Sequence, residues 1–174
     1  MTIRTILPFG DPLLRKRTKP ADPAAPNTVK LLDDLVETLC AAEGRAGLAA
    51  PQIGILRSVA VMDCGGEHGL LELINPVIIA SSGEQTGLEG CLSYPGYVGS
   101  VTRAQQVELQ YQDRGGATRK LHASGYLARC VQHELDHLQG MLFIDRMADG
   151  WLTHEQTGHR VRVLDVMRMT NSGK

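Results

Sequence analysis

His133-Glu134-Leu135-Asp136-His137 constrains this chain more than any other stretch. It fits the H-E-x-x-H pattern, which has chemical meaning only on a helix, where residues four apart share one face about one turn of ~5.4 Å apart. Both imidazoles can then reach one metal ion, while Glu134 sits beside the first and can handle a proton from the water that such an ion activates. The plain alternative is a solvated helix with two unrelated histidines. A third ligand decides between them.

Two common sources of that ligand can be checked directly. In the metzincin pattern the helix breaks at a glycine and a third His follows; this chain matches through His137-Leu138-Gln139-Gly140 and then places Phe143 where the His belongs. A phenyl ring cannot ligate. Other zinc proteases draw a Glu from a later helix, but Glu155 lies in the polar stretch Thr153–His159, which reads as a weak, exposed turn of helix. His154 and His159 are five apart, so their rings point about 140° away from each other on a helix of ~3.6 residues per turn. Both are expected on the surface.

Four cysteines remain: Cys40, Cys64, Cys91 and Cys130. No C-x-x-C pair exists, so a structural zinc knuckle is unsupported. The start Met1–Leu7 has no charged segment followed by an apolar run, so a secretory signal is not expected and the location predicted is cytoplasmic, with reduced thiols. Cys40 ends an amphipathic helix and reads as packed. Cys64 precedes Gly65-Gly66 in a turn, with no partner near in sequence. Cys130, His133 and His137 fall on one helical face, but three ligands from one straight helix surround an ion poorly. Cys91 lies in Leu88–Gly96, a loop flanked by Gly and Pro that can be shaped around an ion. Spacing favours Cys91 over Cys130 only modestly.

Length and charge exclude several classes. The 174 residues fit a single domain over 1–174 with a real core. A formal charge of −1 with interspersed signs leaves no electrostatic footprint for direct nucleic-acid binding. The longest apolar runs, such as Val77-Ile78-Ile79-Ala80, are far shorter than the ~20 residues a membrane helix needs, so no membrane contact is expected. Asp11–Arg15 reads as a short helical turn. Asn27 is placed as the N-cap of a helix to about Ala42, with Val29, Leu32, Leu35, Val36, Leu39 and Cys40 on the apolar side. Extended segments follow near 57–63, 71–80 and 107–112; the last alternates strictly, and Asp113-Arg114-Gly115-Gly116 turns it into 118–123. The metal helix spans about Gly125 to just before Gly140. Strand pairs around one functional helix indicate an α+β fold, with antiparallel strands packed around the metal-binding helix.

Three segments together resemble the signature of the peptide deformylases: Gly47-Leu48-Ala49-Ala50-Pro51-Gln52-Ile53-Gly54, then Glu89-Gly90-Cys91-Leu92-Ser93, then Gln132-His133-Glu134-Leu135-Asp136-His137. The similarity extends from about Pro8 to about Arg146. It implies the same α+β arrangement and a metal-dependent amidase that removes the formyl group from N-formyl-methionyl nascent polypeptides. Cys91 becomes the third ligand beside His133 and His137. Glu134 becomes the general base and then the acid, while the Gln52 side-chain amide and the Leu92 backbone N–H become donors to the oxyanion. The backbone of Gly47-Leu48-Ala49-Ala50 would take an extended peptide as an added strand, with Gly47 allowing close approach. Leu92 and Cys130 would line the methionine slot. Arg103 matches an arginine near that pocket, although Thr102 precedes it where Pro is frequent; without the resemblance it reads as a surface cation on a strand. Formyl would be preferred sterically, since an acetyl methyl needs the space beside the metal.

The resemblance also implies one divalent ion per chain, ferrous in the active form. A Cys/His/His site suits Fe²⁺ and Zn²⁺ alike, and other divalent ions are tolerated. Transient ribosome contact belongs to the same expectation. Three features depart from the family pattern. Arg45 stands where the first motif normally has Gly. Arg129 occupies a position often apolar, its charge expected to meet solvent or a peptide carbonyl. Residues 160–166 alternate like a strand where some members carry a long charged helix. The rival readings are a zinc peptidase cutting internal bonds and a non-catalytic, metal-stabilised binder of peptide termini.

Overall fold

Asp11 accepts from the Leu13 N–H at 2.9 Å and so caps the turn Pro12–Arg15, at the place its Asp-Pro start predicts. The computed structural model describes residues 2–147 and 150–171. Helix α1, Pro26–Cys40, begins slightly before the expected Asn27 cap. Pro26 opens its first turn, where a missing N–H costs nothing, and Ala25 takes the cap position. Leu31, Leu32, Leu35 and Leu39 form its buried stripe. Cys40 is exposed rather than packed, because one residue beyond Leu39 the helix has rotated about 100° out of that stripe. Arg45 then folds back, and its guanidinium donates to the Thr38 carbonyl in the helix's last turn.

Two antiparallel sheets follow. The larger has the order β1-β2-β3-β6-β7, built from β1 Gly47–Ala49, β2 Val59–Asp63, β3 Leu70–Ser82, β6 Gln106–Gln112 and β7 Thr118–Ser124. The smaller has the order β4-β5-β8-β9, from β4 Gln85–Cys91, β5 Tyr94–Arg103, β8 Trp151–His154 and β9 Arg160–Arg162. Helix α2, Gly125–Leu138, follows β7, and α3, Val163–Asn171, follows β9.

Strand β2 explains how the H-E-x-x-H helix is seated. Val59 and Val61 pack with Leu32, Leu35 and Leu39 of α1. Met62, from the opposite face, packs with Ala128 and Val131 of α2, and Ala60 meets Leu138. Side chains alternate across a strand, so a sheet covered on both faces needs the unbroken apolar run Val59-Ala60-Val61-Met62, all four fully buried. Helix α2 lies against one side of the larger sheet, and Gly140 stops it as expected. Gly140 has φ +75°, and a Cβ there would stand 2.5 Å from the Arg15 carbonyl oxygen.

The smaller sheet departs from the expected loop. Cys91 is the last residue of β4, and Leu92-Ser93 form the tight turn into β5, with Cys91 opposite Tyr94. Residues Thr153–His159 are not a turn of helix: β8 ends at His154 and a turn leads to β9. His159 is exposed as expected, whereas His154 is half-buried with its ring edge on Tyr97. The strand expected over 160–166 holds for Arg160–Arg162 and then becomes α3, whose Val163, Val166 and Thr170 return to the core at helical spacing. Among the described residues no helix is long and apolar enough to cross a membrane.

Candidate active site

Cys91 and α2 approach each other from different sheets. Along β4, Gln85, Gly87, Glu89 and Cys91 share one face, and that face meets the side of α2 carrying Arg129, His133 and His137. The donor atoms of Cys91, His133 and His137 all lie within 4.8 Å of one another. Cys91 Sγ is 3.3 Å from His137 Nε2. The imidazole rings stand 5.0 Å apart at 72°, and Phe143 stacks on His133, so the residue that fails as a ligand packs one instead.

His133 is oriented by Glu89. Its Nδ1 lies 2.9 Å from Glu89 Oε1, which leaves Nε2 for a metal, the carboxylate–histidine arrangement that fixes ring and tautomer at metal sites. Glu89 is itself saturated: Arg103 donates to both its oxygens at 2.9 Å, and Arg129 donates to Oε2 at 2.7 Å. Burial works against ionisation, but the hydrogen bonds from Arg103 and His133 win and hold the Glu89 carboxyl down at about 2. Asp136 ties Arg103 to Arg146, which donates to it at 2.7 and 2.9 Å.

This network corrects two expectations. Arg103 is neither a surface cation nor a lining residue of the cleft at the metal ligands; it is buried between Glu89 and Asp136, because an inward charge on β5 must find counter-charges. Its exposed edge belongs to a separate 540 Å³ cleft with Val77, Asp136 and Arg146, which contains none of Cys91, His133 and His137. Arg129 is also buried, and its charge meets Glu89 and the Val101 carbonyl rather than solvent.

Glu134 lies buried beside the three ligands, and its Oε2 has no hydrogen-bond partner among the described residues. Burial pushes its carboxyl up to about 7, which suits a group that both takes and returns a proton near neutrality. Gly47 makes room for it. A Cβ at that position would stand 2.3 Å from Glu134 Oε1, so the glycine is required by the carboxylate and not by a peptide alone.

Gln52 is held end to end. Its Oε1 accepts from the Ala49 N–H at 2.9 Å, which turns the amide NH₂ towards Ser93 Oγ at 3.2 Å and Cys91 Sγ at 3.5 Å. A cleft of 440 Å³ opens over these groups, lined by Gly47, Leu88, Cys91, Leu92, Cys130 and Glu134 among others. Strand β1 borders it as the edge of the larger sheet. Asp63 N–H donates to Ala46 O, and backbone bonding alternates along an antiparallel pair. Leu48 therefore spends its backbone groups on Val61 and its side chain in the core, while Gly47 faces the open edge. Leu48 thus faces β2 and the core rather than the open edge.

Glu89, Ser93 and Asp136 had no assigned role in the sequence reading. For Glu89 a signal existed: two residues before Cys91 on an extended segment, it had to share the ligand's face. For Asp136 and Ser93 none did, since their partners come from distant segments.

A buried thiol and two imidazoles converging on one point, with a buried carboxylate turned to the same space, mark a metal-dependent hydrolase. The polypeptide deformylase family model matches residues 3–151. A peptide deformylase of Halothermothrix orenii is 47% identical over 147 residues, covering 84% of this chain and 95% of that protein. Crystal structures of peptide deformylases from Thermotoga maritima and Legionella pneumophila superpose with TM-scores of 0.81 and 0.82 at 39% and 35% identity; they cover 86% and 98% of this chain, and 100% and 95% of theirs. The chain belongs to the polypeptide deformylase family and is a metal-dependent enzyme that removes N-formyl groups from nascent peptides.

Proposed function

We propose that Cys91, His133 and His137 hold one divalent ion, ferrous iron in the active enzyme with Zn²⁺ or another divalent ion tolerated, and that Glu134 carries the proton for formamide hydrolysis. The observation that supports this is the convergence of the three donors within 4.8 Å beside a buried carboxylate oxygen that nothing else engages. A divalent ion held there would bring the pKa of water towards ~7, making hydroxide available at neutral pH. Glu134 accepts the proton of the attacking water and returns it to the leaving amine. The tetrahedral intermediate places negative charge on the former formyl oxygen. The Gln52 NH₂, already aimed because Oε1 of the same amide accepts from the Ala49 N–H, donates to that oxygen, and the Leu92 backbone N–H in the turn after Cys91 is the second donor.

The peptide lies along the open edge of β1 and meets the backbone of Gly47, while Leu92 and Cys130 border the slot for the methionine side chain. Arg103 has no place in that slot and instead positions His133 through Glu89. The partners are formyl-methionyl chains in the cytoplasm as they emerge, with transient ribosome contact and no direct nucleic-acid or membrane binding.

Formate release from a formyl-Met peptide, measured with the wild type and Glu134→Ala, tests the assignment. Wild type releases formate; the variant loses about 10²- to 10⁴-fold in rate with its metal content unchanged. Cleavage of internal peptide bonds in its place would support a peptidase, and metal binding without formate a non-catalytic binder.

A further inference from the structure

Arg146 lines the 540 Å³ cleft that holds none of Cys91, His133 and His137, yet an unbroken run of hydrogen bonds leads from it to an imidazole. Its Nε donates to Asp136 Oδ2 at 2.7 Å and its Nη2 to Oδ1 at 2.9 Å. Arg103 Nη1 donates to the same Oδ2, and Nε and Nη2 of that guanidinium each donate to Glu89 at 2.9 Å. Glu89 Oε1, which accepts from Arg103 Nη2, also lies 2.9 Å from His133 Nδ1. Asp136, Arg103 and Glu89 are buried, whereas Arg146 has 42% of its side chain accessible.

We propose that Arg146 is a positioning residue for His133, acting from the second cleft through Asp136, Arg103 and Glu89. A guanidinium is planar and its donors form a rigid fork, so Arg103 cannot serve its two carboxylates independently. With Arg146 in place, both oxygens of Asp136 are bonded and hold Arg103 Nη1 at a fixed point. Without it, Oδ1 loses the one side-chain donor it has among the described residues. Leaving a buried carboxylate oxygen unpaired is costly, so Asp136 turns to recover a bond. That turn tilts the Arg103 fork and rotates Glu89, moving the hydrogen bond that fixes the ring and tautomer of His133.

The neighbouring contacts set the size of the effect. Phe143 opens the turn Phe143–Arg146 and stacks on the His133 ring, so this turn meets the imidazole at its face and, through the relay, at its nitrogen. Between them Asp145 accepts from Arg15 at 2.5 and 3.1 Å and from the Leu142 N–H at 2.9 Å. The turn is therefore anchored without Arg146, whose own bonds go to Asp136. Arg129 works the other way. It donates to Glu89 Oε2 at 2.7 Å whether or not Arg146 is present, and so restrains the rotation of that carboxylate. A direct outer partner of a metal-binding His is worth about 10–100-fold in affinity, and the restrained, more distant Arg146 about three- to tenfold.

That His133 is a metal ligand rests on the proposed function; the relay itself does not. Zinc affinity of the wild type, Arg146→Ala and Arg146→Lys is measured by chelator competition, and the His133 Nδ1–H proton is followed by NMR in the zinc-loaded and metal-free proteins. Expected in Arg146→Ala are an affinity about three- to tenfold weaker and a moved Nδ1–H resonance. Arg146→Lys should fall between it and the wild type, because an ammonium keeps the charge without the fork. Arg114→Ala is the control: Arg114 is 39% exposed and spans two carboxylates, Glu72 and Asp33, outside the relay, so affinity and resonance should match the wild type. Asp136 immediately precedes His137, and a local disturbance of α2 would imitate the relay. A double-mutant cycle with Glu89→Gln separates the two, since Arg146→Ala adds little once Glu89 is replaced; where Glu89→Gln fails to fold, the resonance decides. Additive losses overturn the proposal, as do unchanged affinity in Arg146→Ala and an equal loss in Arg114→Ala. A chain that takes up no zinc refutes the proposed function instead, and the metal-free resonance still decides the relay: moved in Arg146→Ala it upholds the proposal, unmoved it overturns it.

Discussion

Replacing Gly47 by Ala drives a methyl group into the Glu134 carboxyl, the proposed general base. Its Cβ would fall 2.3, 2.8 and 2.9 Å from Oε1, Cδ and Cγ of Glu134, all inside the ~3.5–4.0 Å of ordinary non-bonded contact. The carboxyl must retreat by about 1 Å, and misplacing a catalytic group by that distance costs on the order of 10²-fold in rate. Overpacking of this kind also destabilises by roughly 1–3 kcal/mol. The three atoms nearest the new methyl all belong to Glu134 rather than to Cys91, His133 or His137, so the ion should stay. The assay is formate release under saturating formyl-Met peptide, alongside metal content and thermal unfolding. Expected is a kcat near one hundredth of wild type at full metal occupancy. A variant within threefold of wild-type kcat refutes the placement of Glu134 against Gly47. A loss that follows metal loss refutes the reasoning that the methyl acts through the displaced Glu134 carboxyl. Gly10→Ala is the matched control, because within 4 Å its Cβ would meet only Met169 Cγ, at an ordinary 3.8 Å, and it should change kcat little.

Glu89→Gln tests the orientation of His133. It leaves the buried Arg129 guanidinium without its charge partner, takes one of two from Arg103 and weakens the bond to His133 Nδ1, so stability should drop by about 3–5 kcal/mol and metal affinity by about 10–100-fold. Chemical denaturation and a competitive chelator titration read the two, and wild-type affinity in the variant would mean that Glu89 does not set the ring. Asp34→Asn tests acid stability. Burial raises the Asp34 pKa, but hydrogen bonds and charge from Arg4 and Lys30 more than offset it and bring it below the ordinary carboxylate value. Its stabilisation is therefore complete above the unfolded pKa of about 3.9 and is lost as pH falls through the lower folded value. The variant should be less stable by about 1 kcal/mol at pH 7, since Arg4 and Lys30 are half exposed. The gap should close in acid, and one that persists below pH ~2 contradicts the linkage.

What the sequence made legible follows periodicity. Helix α1, strands β2 and β3, the β6–β7 hairpin and α2 all carry apolar residues at the spacing of their element, and all lie near where that spacing puts them. Strand β4 was illegible because its inward face reads Gln85, Gly87, Glu89, Cys91, while exposed Leu88 points out. A search for apolar alternation sees the reverse of a strand there. The inversion has a cause: that face must feed Arg129, Arg103, His133 and the metal site. Arg103 escaped for a related reason. A buried cation is recognisable only with the two carboxylates that neutralise it, and those come from β4 and α2. The tail alternated truly, but only over β9, and α3 is too short for its spacing to stand out.

The site's chemistry depends on an assembly that no single segment encodes. The H-E-x-x-H helix brings two imidazole nitrogens and the Glu134 carboxyl, yet the thiol that joins them arrives on the smaller sheet and Gln52 from the turn after β1. Glu89 links these parts, since it sits on the same strand as the thiol ligand and bonds an imidazole on the helix. A shift of β4 relative to α2 would therefore move the Cys91 sulfur and the orientation of His133 together. Arg129 of α2 opposes that shift by bonding Glu89 of β4 directly, and Arg103 of β5 does so by joining Glu89 to Asp136 of α2. The unusual arginine at 129 thus adds a second clamp to the joint on which metal geometry depends, and Arg45 spends its charge on the end of α1, outside the cleft. Both departures from the family pattern leave the reacting groups untouched, so their effects should appear in stability and metal retention before they appear in the rate of the chemical step.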